Sequence, residues 1–479
     1  MAKLSKYDLL ITGGRVLDPA NDLDEVCDIA ISDGYIEKVQ KEIDPSFGKS
    51  VEDWTGNWII PGFIDTHVHV GGPRSTWDPA LGHQMLALAG TTTAIDFGCI
   101  PEQIPDGLLR KGAGLNFGGI MVAIPEITIP NDHPTHDQTR HIVSDVLKRG
   151  ALGIKITGGY YPFSPEITSR IFSVCNEFRA YAGYHVGTKE TGSRLDGLQE
   201  VPSIIGNGRL HVAHINAYCR GSILEPDEEC KQALSLLSQY EDQLVSEVHQ
   251  AIPNGTQGLC DKNGEVLSDV AKNCLKLKNY EMTADGIRQA IKDGYCSVMK
   301  QTGDTVGYIK GEDALNMFEE LDTNCPLSFP VNLPSSAFNL TTAKKPDGNF
   351  IVDAVATDGG SIPRNIAIDS TMALVKFGAL SPLEVAIKLS YNPSKMIGLK
   401  DRGHLSEGAR ADITVIDPQM GKAVASYVDG DPLLKDGNIL KNGGRWLVTK
   451  TGEQEAITSG LDYEILDFNS SKLYSGYKD

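Results

Sequence analysis

The chain has 479 residues, with 44 Lys and Arg against 63 Asp and Glu, giving a formal net charge of −19. That acidic balance argues against nucleic acid or an anionic membrane as partner, because phosphates and lipid headgroups repel it. Hydrophobic residues at 41% suffice for a globular core, while 50 Gly and 24 Pro without any period exclude a collagen-like or disordered chain.

The first 60 residues read as short strands. Tyr7–Thr12 is apolar and ends at Gly13-Gly14; Val26–Ile31 and Tyr35–Val39 alternate around Asp33-Gly34, a hairpin signal. The start has neither the apolar core nor the cleavage site of a signal peptide. No apolar run reaches roughly 18 residues, the length that spans a bilayer. Residues 402–450 repeat the N-terminal style at Ala411–Ile416, Val424–Val428 and Gly444–Val448. The economical reading is a small β-sandwich domain built from both chain ends, 1–61 and 395–479, with the polar, aromatic tail from Leu461 wrapping it or a neighbour.

The middle alternates apolar runs with amphipathic segments. Candidate strands are Gly62–Val70, Thr91–Phe97, Gly119–Ile124, Gly153–Thr157, Gly183–Val186, Leu210–Ile215, Leu244–Val248 and Ala354–Thr357. Helical segments fall between them, among them His136–Arg149 and Ser164–Ala182. Strand–helix alternation implies parallel units with right-handed crossovers. Eight units imply an α/β fold, a closed (β/α)8 TIM-like barrel over 62–394, with its chemistry at the strand C-termini. The stretch from Gln250 to Asp353 is too long for a loop. It reads as a helical insertion, about 250–353, near the barrel mouth. Nine cysteines, scattered and without a C-x-x-C pair, fit a reduced cytoplasmic protein.

Polar residues recur where these strands end. The first strand closes on His67-Val68-His69, and residues two apart on a strand share a face. Lys155 interrupts an apolar strand, where a bare ammonium is costly to bury. A carbamate formed with carbon dioxide would turn that cation into an anion able to bridge two metals. His185 and His214 end the next two strands, each about one β/α unit further on. His211 competes with His214, but its offset places it deeper and facing away. Asp358 ends the last strand and reads as metal ligand and general base.

Taken together, Pro61–His69, Lys155, His185, His214, Asp358 and the ending Glu407-Gly408-x-x-Ala411-Asp412 resemble the amidohydrolase superfamily along nearly the whole chain. The resemblance implies a binuclear centre, usually zinc, on His67, His69, carboxylated Lys155, His185, His214 and Asp358. It implies hydrolysis of a small molecule's amide bond, cyclic or N-acyl/N-carbamoyl, by a hydroxide held between two divalent ions. Asp358 would take its proton and deliver it to the departing nitrogen. It also implies a homo-oligomer, dimer or tetramer.

Two branches fit. The hydantoinase/dihydropyrimidinase branch uses the bridging lysine and a tyrosine five residues later, here Tyr160, with Tyr161 as fallback. The N-acyl-D-amino-acid deacylase branch often bridges its metals with a cysteine at the second strand's end, here Cys99; Lys155 is favoured as the bridge because it keeps even spacing with its neighbours. That branch also commonly has an arginine two residues after its fifth-strand histidine, where Gly187 stands. The dihydroorotase pattern fits less well, since Gly71 stands where that branch has an arginine. Arg74 and Arg364 are then candidates for a substrate carboxylate, and Asn216 and His249 for lining the pocket. The rivals are a mononuclear deaminase, with Glu190 as its glutamate, and a non-catalytic scaffold protein on the same fold.

Overall fold

The computed structural model describes residues 6–72 and 77–477. Five N-terminal strands open it: β1 (Tyr7–Asp18), β2 (Leu23–Ser32), β3 (Tyr35–Gln40), β4 (Gly48–Asp53) and β5 (Trp58–Pro61). Asp33 and Gly34 both take positive φ, 49° and 83°, between β2 and β3. A tight hairpin needs that geometry, and Asp-Gly supplies it at little strain.

Seven parallel strands follow: β6 (Phe63–His69), β7 (Thr91–Cys99), β8 (Ala113–Val122), β9 (Gly153–Thr157), β10 (Tyr181–His185), β11 (Leu210–Val212) and β12 (Leu244–Val248). Helices α1 (Leu81–Leu88), α2 (Gln103–Lys111), α3 (His136–Lys148) and α4 (Pro165–Glu177) pack outside the first of them. A capping box on Thr135 and Gln138 starts α3, and Ser164 with Pro165 starts α4. The spacing had carried α4 to Ala182; the chain instead turns at Arg179, φ 53°, and Tyr181-Ala182 enter β10.

The insertion follows β12 and is not purely helical. It holds β13 (Pro253–Gln257), β14 (Ser297–Thr302), β15 (Thr305–Ile309) and β16 (Pro326–Pro330), an antiparallel sheet in the order β13-β16-β14-β15. Helices Asp269–Lys276, Ala284–Lys292 and Gly311–Glu320 accompany it. Ile287, Ile291, Phe318, Leu327 and Phe329 give it a core of its own. Gly303-Asp304 between two alternating runs is the hairpin signal that marks β14–β15, with Gly303 at φ 60°.

The eighth barrel strand is split. β17 (Ala354–Val355) pairs with β12, and β18 (Gly359–Gly360) pairs with β6, which closes the cylinder. Between the halves Asp358 takes φ 50°, and its amide donates to His67 O at 2.9 Å. The break aims the aspartate into the mouth instead of along the wall.

The chain then returns to the first sheet with β19 (Ile413–Asp417), β20 (Lys422–Val428), β21 (Asp431–Lys435) and β22 (Asn438–Ile439), in the order β22-β21-β20-β19-β5-β1-β2-β3 with β4 beside β1. Ile11, Ile29, Ile59, Ile413 and Val415 fill its core. Asp412 ties this sheet to the barrel: its Oδ2 accepts from Asn116 of β8 and from Arg402, each at 2.8 Å.

Two expectations for the C-terminal end are corrected. β23 (Gly443–Val448) does not join the small sheet; it runs parallel to Ala113–Phe117 of β8, with β24 (Asp462–Ile465) outside it. Short β9 pairs only with Met121 and Val122, so the first half of β8 offers an open edge. The tail from Leu461 packs on the barrel and not on the small sheet. Phe468, Leu473 and Tyr474 plug the N-terminal end of the barrel against Ile64, Leu152 and Tyr181, and Tyr474 Oη donates to Ala180 O at 2.6 Å.

Candidate metal centre

The mouth of the barrel encloses a cavity of about 420 Å³, in the range that encloses small organic ligands. His69, Lys155, His185, His214 and Asp358 form part of its lining.

Two clusters of donors meet there. His67 and His69, on one face of β6, point Nε2 at Asp358 Oδ1, at 3.3 and 3.0 Å. These three residues offer ligand atoms all within 4.8 Å of one another. His185 Nδ1 and His214 Nε2 lie 2.9 Å apart. Two imidazole nitrogens at that separation need a shared proton or cation between them. His214 sits at φ 29°, a left-handed conformation rare for a non-glycine residue and a mark of functional strain.

Lys155 is 3% exposed, with Nζ 3.4 Å from His67 Nε2 and 5.0 Å above the Phe97 ring. Among the described residues no carboxylate comes within 4 Å of it. Burial pulls its ammonium down to about 8. Burial and the Lys155 charge together hold the imidazole of His69 down at about 3 and that of His185 far below its usual value. The histidines are therefore neutral, the form that binds metal.

One residue behind this floor escaped the sequence reading. Glu247, fully buried on β12, accepts from His67 Nδ1 at 2.6 Å and from the His214 amide at 2.7 Å, and pairs with His211 Nε2. It fixes the His67 tautomer so that Nε2 faces the cavity with a lone pair. Burial would raise its carboxyl, but His211 and His67 overcome that and hold it below the usual range. His211 lies deeper than His214, as its offset implied, yet faces inward: its Nδ1 accepts from Tyr181 Oη at 2.9 Å. The signal for Glu247 was legible, since it interrupts an apolar strand just as Lys155 does.

Two more carboxylates shape β6. Asp65 accepts from Thr357 Oγ1 at 2.6 Å and Thr357 N at 3.1 Å, and burial raises it to about 7. Asp96 accepts from Val70 N at 2.9 Å and Gly71 N at 2.5 Å, and burial likewise raises it to about 7.

The remaining candidates divide. Tyr160 lines the cavity, and its hydroxyl donates to Gly255 O of the insertion at 2.7 Å; Tyr161 lines it as well. Arg364 is buried and does not form a surface salt bridge. It lies 2.6 Å from Asp358 Oδ2, donates from Nε to Asp358 O, and reaches Pro253 O at 3.3 Å. Burial alone would raise the Asp358 carboxyl; Arg364, His67 and His69 outweigh it and keep the group ionised. His249 lines the cavity, with Nε2 3.9 Å from Asp358 Oδ2.

Three assignments are corrected. Asn216 is not among the lining residues; its Oδ1 accepts from the His249 amide at 3.1 Å and positions that strand end. Cys99 turns away from the cavity into an apolar cluster with Ile104 and Leu108, its thiol on Ile120 O at 3.4 Å, and burial holds it protonated. Glu190 is exposed and outside the cavity lining, so it is not placed to serve as the deaminase's glutamate. Arg74 lies outside the described residues.

Relatives fall into two groups. Dihydroorotase of Geobacter metallireducens is 25% identical over 439 residues, covering 86% of this chain and 90% of that protein. Dihydroorotase of Streptococcus pneumoniae is 24% identical, covering 88% and 92%. In three dimensions the chain is similar to N-acyl-D-glutamate deacylase of Bordetella bronchiseptica, solved with zinc and a phosphonate inhibitor, at TM-score 0.65 and 14% identity over 92% of this chain and 99% of that one. It is similar too to dihydropyrimidinase of Brevibacillus agri, at TM-score 0.60 and 16% identity over 91% and 97%. Sequence relatives thus carry the name that Gly71 made less fitting, and these fold neighbours carry the names of the two better-fitting branches. The model of the amidohydrolase family matches residues 58–441, barrel and metal-type residues included, and the chain belongs to that family.

Proposed function

We propose that this protein is a metal-dependent hydrolase of a C–N amide bond in a small molecule, either a cyclic amide or an N-acyl/N-carbamoyl compound. One observation carries the reading: His69, Lys155, His185, His214 and Asp358 line one cavity, and His67 Nε2 lies behind them, 3.3 Å from Asp358 Oδ1 and 3.4 Å from Lys155 Nζ. The donor set fits two divalent ions, zinc by ligand type: neutral imidazoles paired with a carboxylate, and an ammonium with no carboxylate partner within 4 Å among the described residues. Carboxylation of Lys155 relieves that unpaired buried charge and supplies the anion a binuclear site needs.

Bound metal would supply Lewis acidity, polarising the scissile carbonyl and making hydroxide available near neutral pH. The chain's own groups do the rest. Asp358, held ionised by Arg364, accepts the proton of the attacking water and passes it to the departing nitrogen. The Tyr160 hydroxyl, at the cavity wall, exchanges its bond to Gly255 O for one to the carbonyl oxygen as that oxygen gains charge. Glu247 keeps His67 in the tautomer that offers Nε2. The insertion supplies part of the cavity wall, Asn254, Gly255, Met299 and Pro326 among them.

The test is metal content of protein purified without chelator, followed by turnover on hydantoins, dihydropyrimidines and N-acyl amino acids. About two equivalents per chain with hydrolysis of one series is the expected result. No metal after reconstitution with zinc and bicarbonate would leave the scaffold reading standing.

A further inference from the structure

His185 and His214 meet through His185 Nδ1 and His214 Nε2, 2.9 Å apart, so each ring turns a different nitrogen to that half of the site. A neutral imidazole has one lone-pair nitrogen, and a partner on the far nitrogen selects which one it is. His214 Nδ1 is buried and has no partner among the described residues. His185 Nε2 has one: it lies 2.9 Å from Ser193 Oγ. Apart from the contact between the two rings, this is the one ring hydrogen bond of the pair among the described residues.

The local fold builds that contact. Ser193 lies in the turn 186–194, between β10 and helix α5 (Leu195–Ile205). Glu200 of α5 pins the turn: its Oε2 accepts from Thr188 Oγ1 at 3.0 Å and from Thr191 Oγ1 at 2.9 Å. Gly192 takes φ 76° and donates its amide to Thr188 O at 3.0 Å, which closes the turn one residue before Ser193. A left-handed position of this kind suits glycine. On the other side of the ring, Gly159 leaves the space the imidazole needs, since a Cβ there would lie 2.6 Å from His185 Nε2. The glycine just before Tyr160 thus clears the nitrogen that Ser193 engages.

We propose that Ser193 is a positioning residue for the metal centre: by accepting from His185 Nε2 it turns the Nδ1 lone pair towards the ion that His185 would share with His214. This rests on the metal-dependent reading above and assigns an orienting group to one of its two ions. His67, His69 and Asp358 form the other cluster, where Glu247 holds His67 through the opposite nitrogen, Nδ1. A neutral hydroxyl serves one half of the site and a carboxylate the other. Loss of Ser193 therefore weakens one ion and spares its neighbour.

The experiment is a titration of the metal-free protein in zinc-buffered solutions, with bound zinc counted by elemental analysis. The parent should show two binding steps. In S193A one step should weaken about tenfold or more, the cost of losing a partner behind a metal-binding histidine, while the other stays within about threefold. S193T keeps the hydroxyl and should match the parent. In H185A, which retains the cluster at His67, His69 and Asp358, adding S193A should change nothing. Unchanged steps in S193A, equal weakening of both steps, or equal losses in S193A and S193T overturn the proposal, and so does an effect of S193A that persists in the H185A background. A parent that binds two zinc ions yet hydrolyses no amide would remove the hydrolase reading and leave Ser193 to be decided by these titrations. A parent that takes up no zinc overturns both.

Discussion

Asp358 divides its two carboxylate oxygens between two neighbours: Oδ1 lies 3.0 Å from His69 Nε2, and Oδ2 lies 2.6 Å from the Arg364 guanidinium. One oxygen is thereby committed to the donor cluster and the other to an ion pair that keeps it charged. Arg364→Gln removes the larger of the influences that lower this carboxyl, so its proton affinity rises. A base must be ionised to act, so the acid limb of kcat/KM should move to higher pH in the variant. A pH–rate profile at saturating metal checks this; an unmoved limb means that Arg364 does not set the charge of Asp358.

Asp358→Asn keeps the shape of the site and removes the base. Metal equivalents should stay near those of the parent, while kcat falls by about 10²–10⁴-fold. Tyr160→Phe should lower kcat by about 10²–10³-fold with a smaller change in KM, as for loss of one oxyanion donor. Steady-state kinetics beside elemental analysis separates these effects, and near-normal turnover in either variant would remove that residue from its role.

Glu247→Gln offers His67 an amide in place of a charged acceptor. Losing such a carboxylate behind a metal-binding histidine typically costs 10–100-fold in metal affinity. Titration in zinc-buffered solutions should show that loss. An unchanged affinity would mean that packing alone sets the His67 tautomer.

Lys155→Ala should lose metal, with partial recovery on adding short carboxylates such as acetate or propionate. Cys99→Ala should leave metal content unchanged, because its thiol sits among Ile104 and Leu108 on the far side of β7 from the cavity. Full occupancy in the lysine variant, or loss in the cysteine variant, would reverse these assignments.

His83, on α1, is fully buried against the Phe117 ring at a centroid distance of 4.4 Å, and among the described residues neither ring nitrogen has a hydrogen-bond partner. Burial pulls its imidazole down to about 3. The unfolded chain therefore takes up a proton as pH falls through about 6.5, while the folded chain resists until about 3. Stability is lost on acidification across that window, by up to about 1.4 kcal/mol per pH unit. His83→Leu should flatten the fall in unfolding free energy between pH 6.5 and 5 in chemical denaturation. Equal slopes in the two proteins would mean that the folded state already accommodates the charge.

Much of this molecule was legible in the chain itself. The eight apolar runs of the barrel, the Asp33-Gly34 hairpin and the regular spacing of Lys155, His185 and His214 are local patterns, and local pattern follows from backbone sterics and burial. Charged residues inside apolar strands marked the floor, because such a residue must find a partner at depth. That argument reached Lys155 and, applied evenly, would have reached Glu247.

What tertiary structure decided is every pairing between distant segments. Cys99 and His69 both end neighbouring strands, yet the pleat sends one outward and the other in, and no spacing rule sets which face a cysteine takes when the strand is buried on both sides. The sheet edge that captures β23 is open only because β9 is short. Arg364 meets Asp358 and Pro253 through a split strand and a folded insertion that close on one point. The sequence by itself determined which chemistry sits at the strand ends, since those residues and their period are written in it. Only the fold decided which group each one faces, because hydrogen-bond partners and burial are properties of the packed chain.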